Sequence, residues 1–317
     1  MIPHSGFVEI SGNPSTFILI GGSNSNTTQT TFRGSTFEIP HYANMINIMA
    51  VGAGGGGGSG QFGLSGTIGG GGGASGAVMS LTMPTLFLPS KIYAIPGLGG
   101  AGGDASNSGT GIAGSATIVS TTLERGTGGA GCIAFAYGGN GGLPGPIGTG
   151  GLASVNMASL VASGISPAGT NFGVYNLRET RAGGNGGSAT SGTDATFAFV
   201  SGGGGGGAQG SGTGYNGGGV AVGLGGNGTG TQPDSSIYTT NPDTGGDIDG
   251  AHGIIRRSPL YFTGGVGGKG YVANNGGRGG NGAPGCGGGG SGAGGSSATA
   301  FQTGGRGGDG FVIISVW

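Results

Sequence analysis

The sequence predicts a mainly β protein with little α-helix. Short antiparallel strands, arranged as a sandwich, are combined with a layered bundle of polyglycine helices of the polyproline II type. Three observations carry this reading. Glycine supplies 92 of 317 residues while proline supplies only 13. The glycines hold a three-residue phase over long stretches, and short runs of β-branched and aromatic residues lead again and again into glycine.

The phase is clearest around GQFGLSGTIGGG, residues 60–71, and extends beyond it: Gly54, Gly57, Gly60, Gly63, Gly66, Gly69 and Gly72 are in step. It returns at Gly139, Gly142, Gly145 and Gly148, and again between Gly264 and Gly288 with Ala273 as the exception. Collagen needs about 15–20% proline to stiffen its chains, so this is another use of the period. An extended left-handed helix has three residues per turn, and a period of three places all the in-phase glycines on one edge. Without a Cβ on that edge, a second backbone can approach closely enough for N–H···O=C bonds between helices. Such helices have no internal hydrogen bonds, so each buried amide needs a partner in a neighbour. The span from Gly54 to Gly72 would form a rod of roughly 59 Å if straight, against a compact diameter near 50 Å for a chain of this length. Two shorter antiparallel helices, with QFGLSGTI as the turn, fit better.

Along the chain, residues 1–34 read as an N-terminal β segment and a candidate attachment region, with FVEI and TFILI as strands. Residues 35–317 read as one glycine-rich domain. STFEIP is the next strand. MINIMAV, KIYAI, CIAFAY and ATFAFV each run directly into glycine, and the terminal FVIISVW is entered from it. One α-helix is expected, in GLASVNMASLVASG, with Leu152, Val155, Leu160 and Val161 near one face and Gly164 and Pro167 after it. Two insertions, 152–182 and 231–262, have less glycine and read as long loops, which in compact domains are often functional.

Charged residues are sparse and the formal net charge is −1, so neither nucleic acid nor an anionic membrane is an expected partner. No apolar run is long enough for a membrane-spanning helix, and the first residues lack a signal-peptide pattern. A soluble protein made in the cytoplasm is the expectation. Cys132 and Cys286 read as two buried free thiols, with one disulfide as the alternative, because nothing indicates an oxidising compartment.

Motifs for chemistry fall short on context. Gly52, Gly54 and Gly57 fit the dinucleotide fingerprint, but no helix follows and no acidic residue stands between Glu38 and Asp104 for a ribose. Neither Lys91 nor Lys269 sits in a phosphate-binding loop. Residues 304–312 fit a calcium-binding nonapeptide once, a motif that works in tandem, so Asp309 is expected to be solvated or hydrogen-bonded. Asp243, Asp247 and Asp249 resemble part of a calcium loop without its closing glutamate. His4, His41 and His252 are dispersed, and no nucleophile stands in a recognisable triad order. The expectation is no enzyme, no cofactor and no metal. Aromatic and basic residues outside the strands, namely Phe172, Tyr175, Arg178, Arg181, Tyr215, Tyr238 and Tyr261, with Phe262, are the candidate receptor contacts. Capping of the bundle ends is the alternative role for them.

The order of strand, VGAGGGGGSG, GGGGGASG, strand, PGLGGAGG, GGNGG, GAPGCGGGGSG and a closing GGRGGDGFVIISVW resembles the glycine-rich domain of tailed-bacteriophage tail fibres and tail-tip adhesins. STFEIPHYANMINIMAVG is similar to the segment leading into that domain. The resemblance covers roughly residues 35–317. It implies a non-enzymatic structural protein of the virion, assembled with other virion proteins and as a homo-oligomer such as a trimer. Its loops would touch a glycan or protein on the host surface. A capsid or tail decoration protein is the alternative. An ice-binding protein is a more distant one, because glycine-triplet helices also build antifreeze proteins, but the irregular residues between the glycines argue against it.

Overall fold

A computed structural model describes residues 8–12, 15–21, 35–61, 67–105, 109–122, 131–145, 174–178, 180–188, 190–195, 200–207, 209–210, 213–220, 249–257, 260–271, 275–295 and 298–317. The α-helix expected at 151–164 lies outside them, as do residues 62–66 with Gly63 and Gly66, Gly148, and most of ATFAFV.

Strand MINIMAV is β4 (Met45–Val51), and it alternates half-buried and buried residues as a strand with one core face should. It lies in a six-stranded sheet with β1 (Val8–Gly12), β2 (Ser15–Ile20), β5 (Val78–Pro84), β9 (Val174–Arg178) and β14 (Phe311–Val316), ordered β1-β2-β14-β4-β5-β9 with every pair antiparallel. A four-stranded antiparallel sheet is ordered β3-β6-β7-β8, from β3 (Ser35–Glu38), β6 (Lys91–Ile95), β7 (Thr117–Ser120) and β8 (Cys132–Ala136). Ile46, Ile48, Val312 and Ile314 of the larger sheet share one buried core with Phe37, Ile92, Val119 and Ala134 of the smaller. Phe17 meets Phe37 edge to face at 5.3 Å between centroids. The two sheets are therefore a sandwich. On the larger sheet's other face the Thr16 and Ser315 hydroxyls pair at 3.0 Å, and the Asn47 amide donates to the Thr82 hydroxyl at 2.6 Å. This polar ladder follows from the period of two.

The N-terminal β segment contributes β1 and β2 to the larger sheet, and β2 pairs along the whole of β14. β14 is buried on both faces. Val312 and Ile314 enter the sandwich core, whereas Phe311 packs on Phe262 at 4.6 Å between centroids. That explains its nearly continuous apolar sequence.

Strands β4, β6 and β8 each continue into a glycine tract, and the first two of these excursions return directly as another strand. β4 leads to 52–61, which turns back as 67–77 into β5. β6 leads to 97–105, which turns back as 109–116 into β7. The return strands VMSLTMP and TIVS were not read from the sequence, where only the outgoing half of each excursion stood out.

The tracts fall in neither strand nor helix, and their amides bond sideways with a period of three. Gly54 and Gly57 donate to the Gly308 and Gly305 carbonyls, Gly55 and Gly58 to Ala74 and Gly71, and Gly56 and Ser59 to Ile112 and Gly109. The same tract accepts from Gly100 and Gly103, from Gly139 and Gly142, and from Gly288 and Ser291. Six neighbours thus surround residues 52–61, three antiparallel ones that accept from it and three parallel ones that donate to it. Three donor directions at successive residues are what a coil of three residues per turn produces. The antiparallel arms expected around residues 61–68 are present, closed by the Gln61 amide on the Ile68 carbonyl at 3.0 Å.

Among the described residues the pairings sort the tracts into four layers. The outer layer runs 249–254, 276–283, 303–310, 97–103, 109–115. Beneath it lie 263–271, 286–294, 52–61 and 138–145. The third layer holds 215–219, 201–207 and 67–77, and the last holds 190–195 and 181–188.

Two regions read as loops contain strands. Within 152–182, β9 pairs with β5 at the edge of the larger sheet. Within 231–262, β12 (Ile255–Arg257) and β13 (Leu260–Phe262) form a hairpin. IIRRSPLYF carries apolar runs on both sides of Ser-Pro, a hairpin signal hidden by the polar residues preceding it. A further short hairpin joins β10 (Gln209–Gly210) to β11 (Thr213–Gly214).

Candidate functional site

The bundle has two unlike ends. At one, the tracts merge with the sandwich. At the other, which we call distal, the chain leaves or re-enters the tracts near residues 61 and 67, 105 and 109, 145, 188 and 190, 207 and 215, 271 and 275, and 295 and 298. This polarity follows from the hydrogen-bond directions. Tracts 52–61, 201–207, 263–271 and 286–294 run in parallel towards the distal end, and tracts 67–77, 215–219, 276–283 and 303–310 run back.

The bundle interior leaves no room for a ligand. Residues 52–60 are buried throughout. A Cβ built on Gly52, Gly54 or Gly57 would fall on the carbonyl oxygen of Tyr137, Cys286 or Gly289. The dinucleotide-like glycines are therefore filled by neighbouring backbone. Where the lattice ends, hydroxyls take the place of a missing carbonyl. Ser291 Oγ accepts the Gly60 amide at 2.7 Å and donates to the Gln302 carbonyl at 2.8 Å. Ser201 Oγ accepts the Gly264 amide at 2.6 Å, and Thr117 Oγ1 accepts the Gly97 amide at 2.9 Å.

Among the described residues the outer layer has no tract above it, and one amide of each turn has a side chain in place of a backbone partner. Side chains from the adjoining tract reach across instead. Asp249 Oδ1 accepts the Arg278 amide at 2.7 Å, His252 Nδ1 the Asn281 amide at 3.0 Å, and Asn281 Oδ1 the Arg306 amide at 2.9 Å. Asp309 Oδ1 accepts the Gly99 amide at 2.8 Å and also pairs with the Arg306 guanidinium at 2.6 Å. Ser115 Oγ accepts the Leu98 amide at 2.6 Å. Five of the residues between the glycines, irregular as a sequence, are thus acceptors for these rungs: Ser115, Asp249, His252, Asn281 and Asp309. Asp309 is thus hydrogen-bonded and buried, and Asp249 is a rung. Asp243 and Asp247 lie outside the described residues, among which no group of three or more His, Cys, Asp or Glu could hold a metal ion.

The structure scatters the candidate contacts. Tyr175 and Arg178 belong to β9, opposite Leu81 and Val78. Arg181 is exposed where tract 181–188 begins, and its amide donates to Ser75 Oγ at 2.8 Å. Tyr215 stands half-buried at the distal end, where its carbonyl accepts the Gly270 amide. Tyr261 is corrected. It is only 8% exposed within β13, so it is no surface contact, and neighbouring Phe262 is core. Phe172 and Tyr238 lie outside the described residues. Exposed Tyr271, also distal, was missed. Its signal is the break in the glycine phase two residues later, at Ala273.

Both cysteines are buried and free. Burial pushes the Cys132 thiol up to about 11. Burial pushes Cys286 up to about 12 against a smaller downward effect of a backbone hydrogen bond from Ser201. Thiols held this way are poor nucleophiles. At the sandwich end opposite the distal loops, Tyr42, Leu86, Phe87 and Trp317 are exposed, and the Trp317 carbonyl accepts the Asn44 and Met45 amides, which ties the terminus to that end. No helix among the described residues is long and apolar enough to cross a membrane. Comparison with protein-family models finds no match, and comparison with curated proteins finds none either.

Proposed function

We propose that this chain is a non-enzymatic structural component of a bacteriophage virion, acting as a tail-fibre or tail-tip adhesin. The observation that supports the reading most is the polarity of the bundle. A scaffold held together by backbone hydrogen bonds has few side chains free for recognition, so recognition falls to the chain segments gathered at its distal end. A rigid base lowers the entropic cost of binding through such segments. The opposite end, with Tyr42, Leu86, Phe87 and Trp317 exposed, suits attachment to another virion protein.

The test is adsorption. Purified protein should bind cells of the bacterial host and compete with virus for them. Replacing the distal Tyr215 and Tyr271 by Ala should reduce that binding while thermal unfolding stays unchanged. Immunogold labelling should mark the tail tip. Labelling spread over the capsid shell, with adsorption indifferent to the double variant, would favour a decoration protein instead.

A further inference from the structure

We propose that the outermost tract, 249–254, is held to its neighbour by an acid-sensitive latch whose moving part is His252. Two backbone bonds join this tract to 276–283, from the Gly250 amide to the Arg278 carbonyl and from the Gly253 amide to the Asn281 carbonyl. Two side-chain rungs run the other way, Asp249 to the Arg278 amide and His252 Nδ1 to the Asn281 amide. Of the side-chain rungs described in the outer layer, this tract alone supplies both of its own from titratable groups.

The chemistry has a definite direction. Nδ1 accepts a hydrogen bond only while it carries a lone pair, so the neutral imidazole must hold its proton on Nε2. Protonation places a hydrogen on Nδ1, and the ring then points a donor at the donor of Asn281. The rung is lost, and the Asn281 amide is left to water. His252 is exposed, so a proton reaches it without prior unfolding.

Among the described residues of the tracts packed against it, the charged groups are few. Asp249 stands three residues before it on its own tract. Arg278 lies on tract 276–283, where its guanidinium Nε donates to Gln302 Oε1 at 3.3 Å, and Lys269 lies on tract 263–271. Arg306, one tract further across, is engaged by Asp309. Among the described residues, Asp249 is the one carboxylate of tracts 249–254, 263–271 and 276–283, and it is itself committed to the Arg278 amide.

The consequence is local. As the pH falls, the Asn281 rung should open first and the Asp249 rung should persist until carboxylates titrate. The tract would then hang on the Asp249 rung, on its backbone bonds to 276–283, on those from the Val266 and Thr263 amides to the Ala251 and Ile254 carbonyls, and on the bond from the Ile254 amide to Thr263 Oγ1.

Amide exchange of the full-length protein, followed by NMR at pH 8 and pH 5 alongside the His252 ring proton, tests this. The protection factor of the Asn281 amide should fall by about three- to tenfold on acidification. That fall should track the ring titration, while the Arg278 amide changes little. His252→Asn, whose side-chain oxygen accepts at any of these pH values, should abolish the pH dependence. His252→Ala should leave Asn281 weakly protected at both. The proposal is overturned if Asn281 keeps its protection after the ring is protonated, if the ring stays neutral at pH 5, or if His252→Asn retains the same pH dependence.

Discussion

Gly57 presents bare backbone to Gly289, and a Cβ built on Gly57 would lie 2.0 Å from the Gly289 carbonyl oxygen. Both residues are interior, and the obstacle is main chain, which cannot rotate away as a side chain could. Gly57→Ala should therefore cost roughly 3 kcal/mol or more, at or above the upper end of the usual range for overpacking. Exposed Ala113→Ser, on the outer layer, should stay within about 0.5 kcal/mol. Chemical denaturation of the two variants checks this; a Gly57→Ala protein as stable as the parent would mean that the in-phase glycines do not pack.

Ser291 joins two segments through one hydroxyl, accepting from Gly60 and donating to Gln302. Ser291→Ala would leave the buried Gly60 amide without its acceptor. The expected loss is about 1–3 kcal/mol, read as a shift of the denaturation midpoint at constant slope. Ser291→Thr keeps the hydroxyl but adds a methyl group to a fully buried site, and should not restore full stability.

Asp309 holds the Gly99 amide and the Arg306 guanidinium together. Asp309→Ala releases both and should destabilise by about 1–3 kcal/mol. Asp309→Asn retains an acceptor for Gly99 and should lie between the two. Arg306→Gln separates the contributions, because it removes the ion pair and leaves the Gly99 rung.

The buried thiols predict loss of stability at alkaline pH. Their folded values, about 11 for Cys132 and about 12 for Cys286, lie above the ordinary 9.0. Above pH of about 9 the unfolded chain gives up thiol protons that the folded chain retains, so stability falls with rising pH up to the folded values. Denaturation midpoints at pH 8 and pH 10 should show this fall, and Cys286→Ala should shrink it. In the native state at pH 8 neither thiol should react with a disulfide reagent until the protein is unfolded.

Much of the architecture was legible in the sequence because it rests on local patterns. The three-residue glycine phase identified the tracts that pack backbone on backbone, and strands such as MINIMAV and FVIISVW announced themselves by β-branched residues beside glycine. The antiparallel arms around residues 61–68 were legible for the same reason, whereas the buried free cysteines followed from the lack of any sign of an oxidising compartment. Candidate contacts were read less well. Tyr261 was taken for an exposed loop aromatic, yet a two-strand hairpin buries it, and β9 was hidden in a stretch that reads as loop because its partner β5 is remote in sequence.

What the sequence determined by itself is the kind of object this is, since a period of three without Cβ atoms permits only close backbone contact and a period of two beside it makes strands. The tertiary structure decided which tract lies beside which, and so which residues between the glycines become rungs. Glycine tracts are chemically alike, so nothing local distinguishes one neighbour from another. Their places in the four layers are set by the sandwich strands to which they are joined, and by the few hydroxyl, carboxylate and imidazole side chains that close the lattice where it ends.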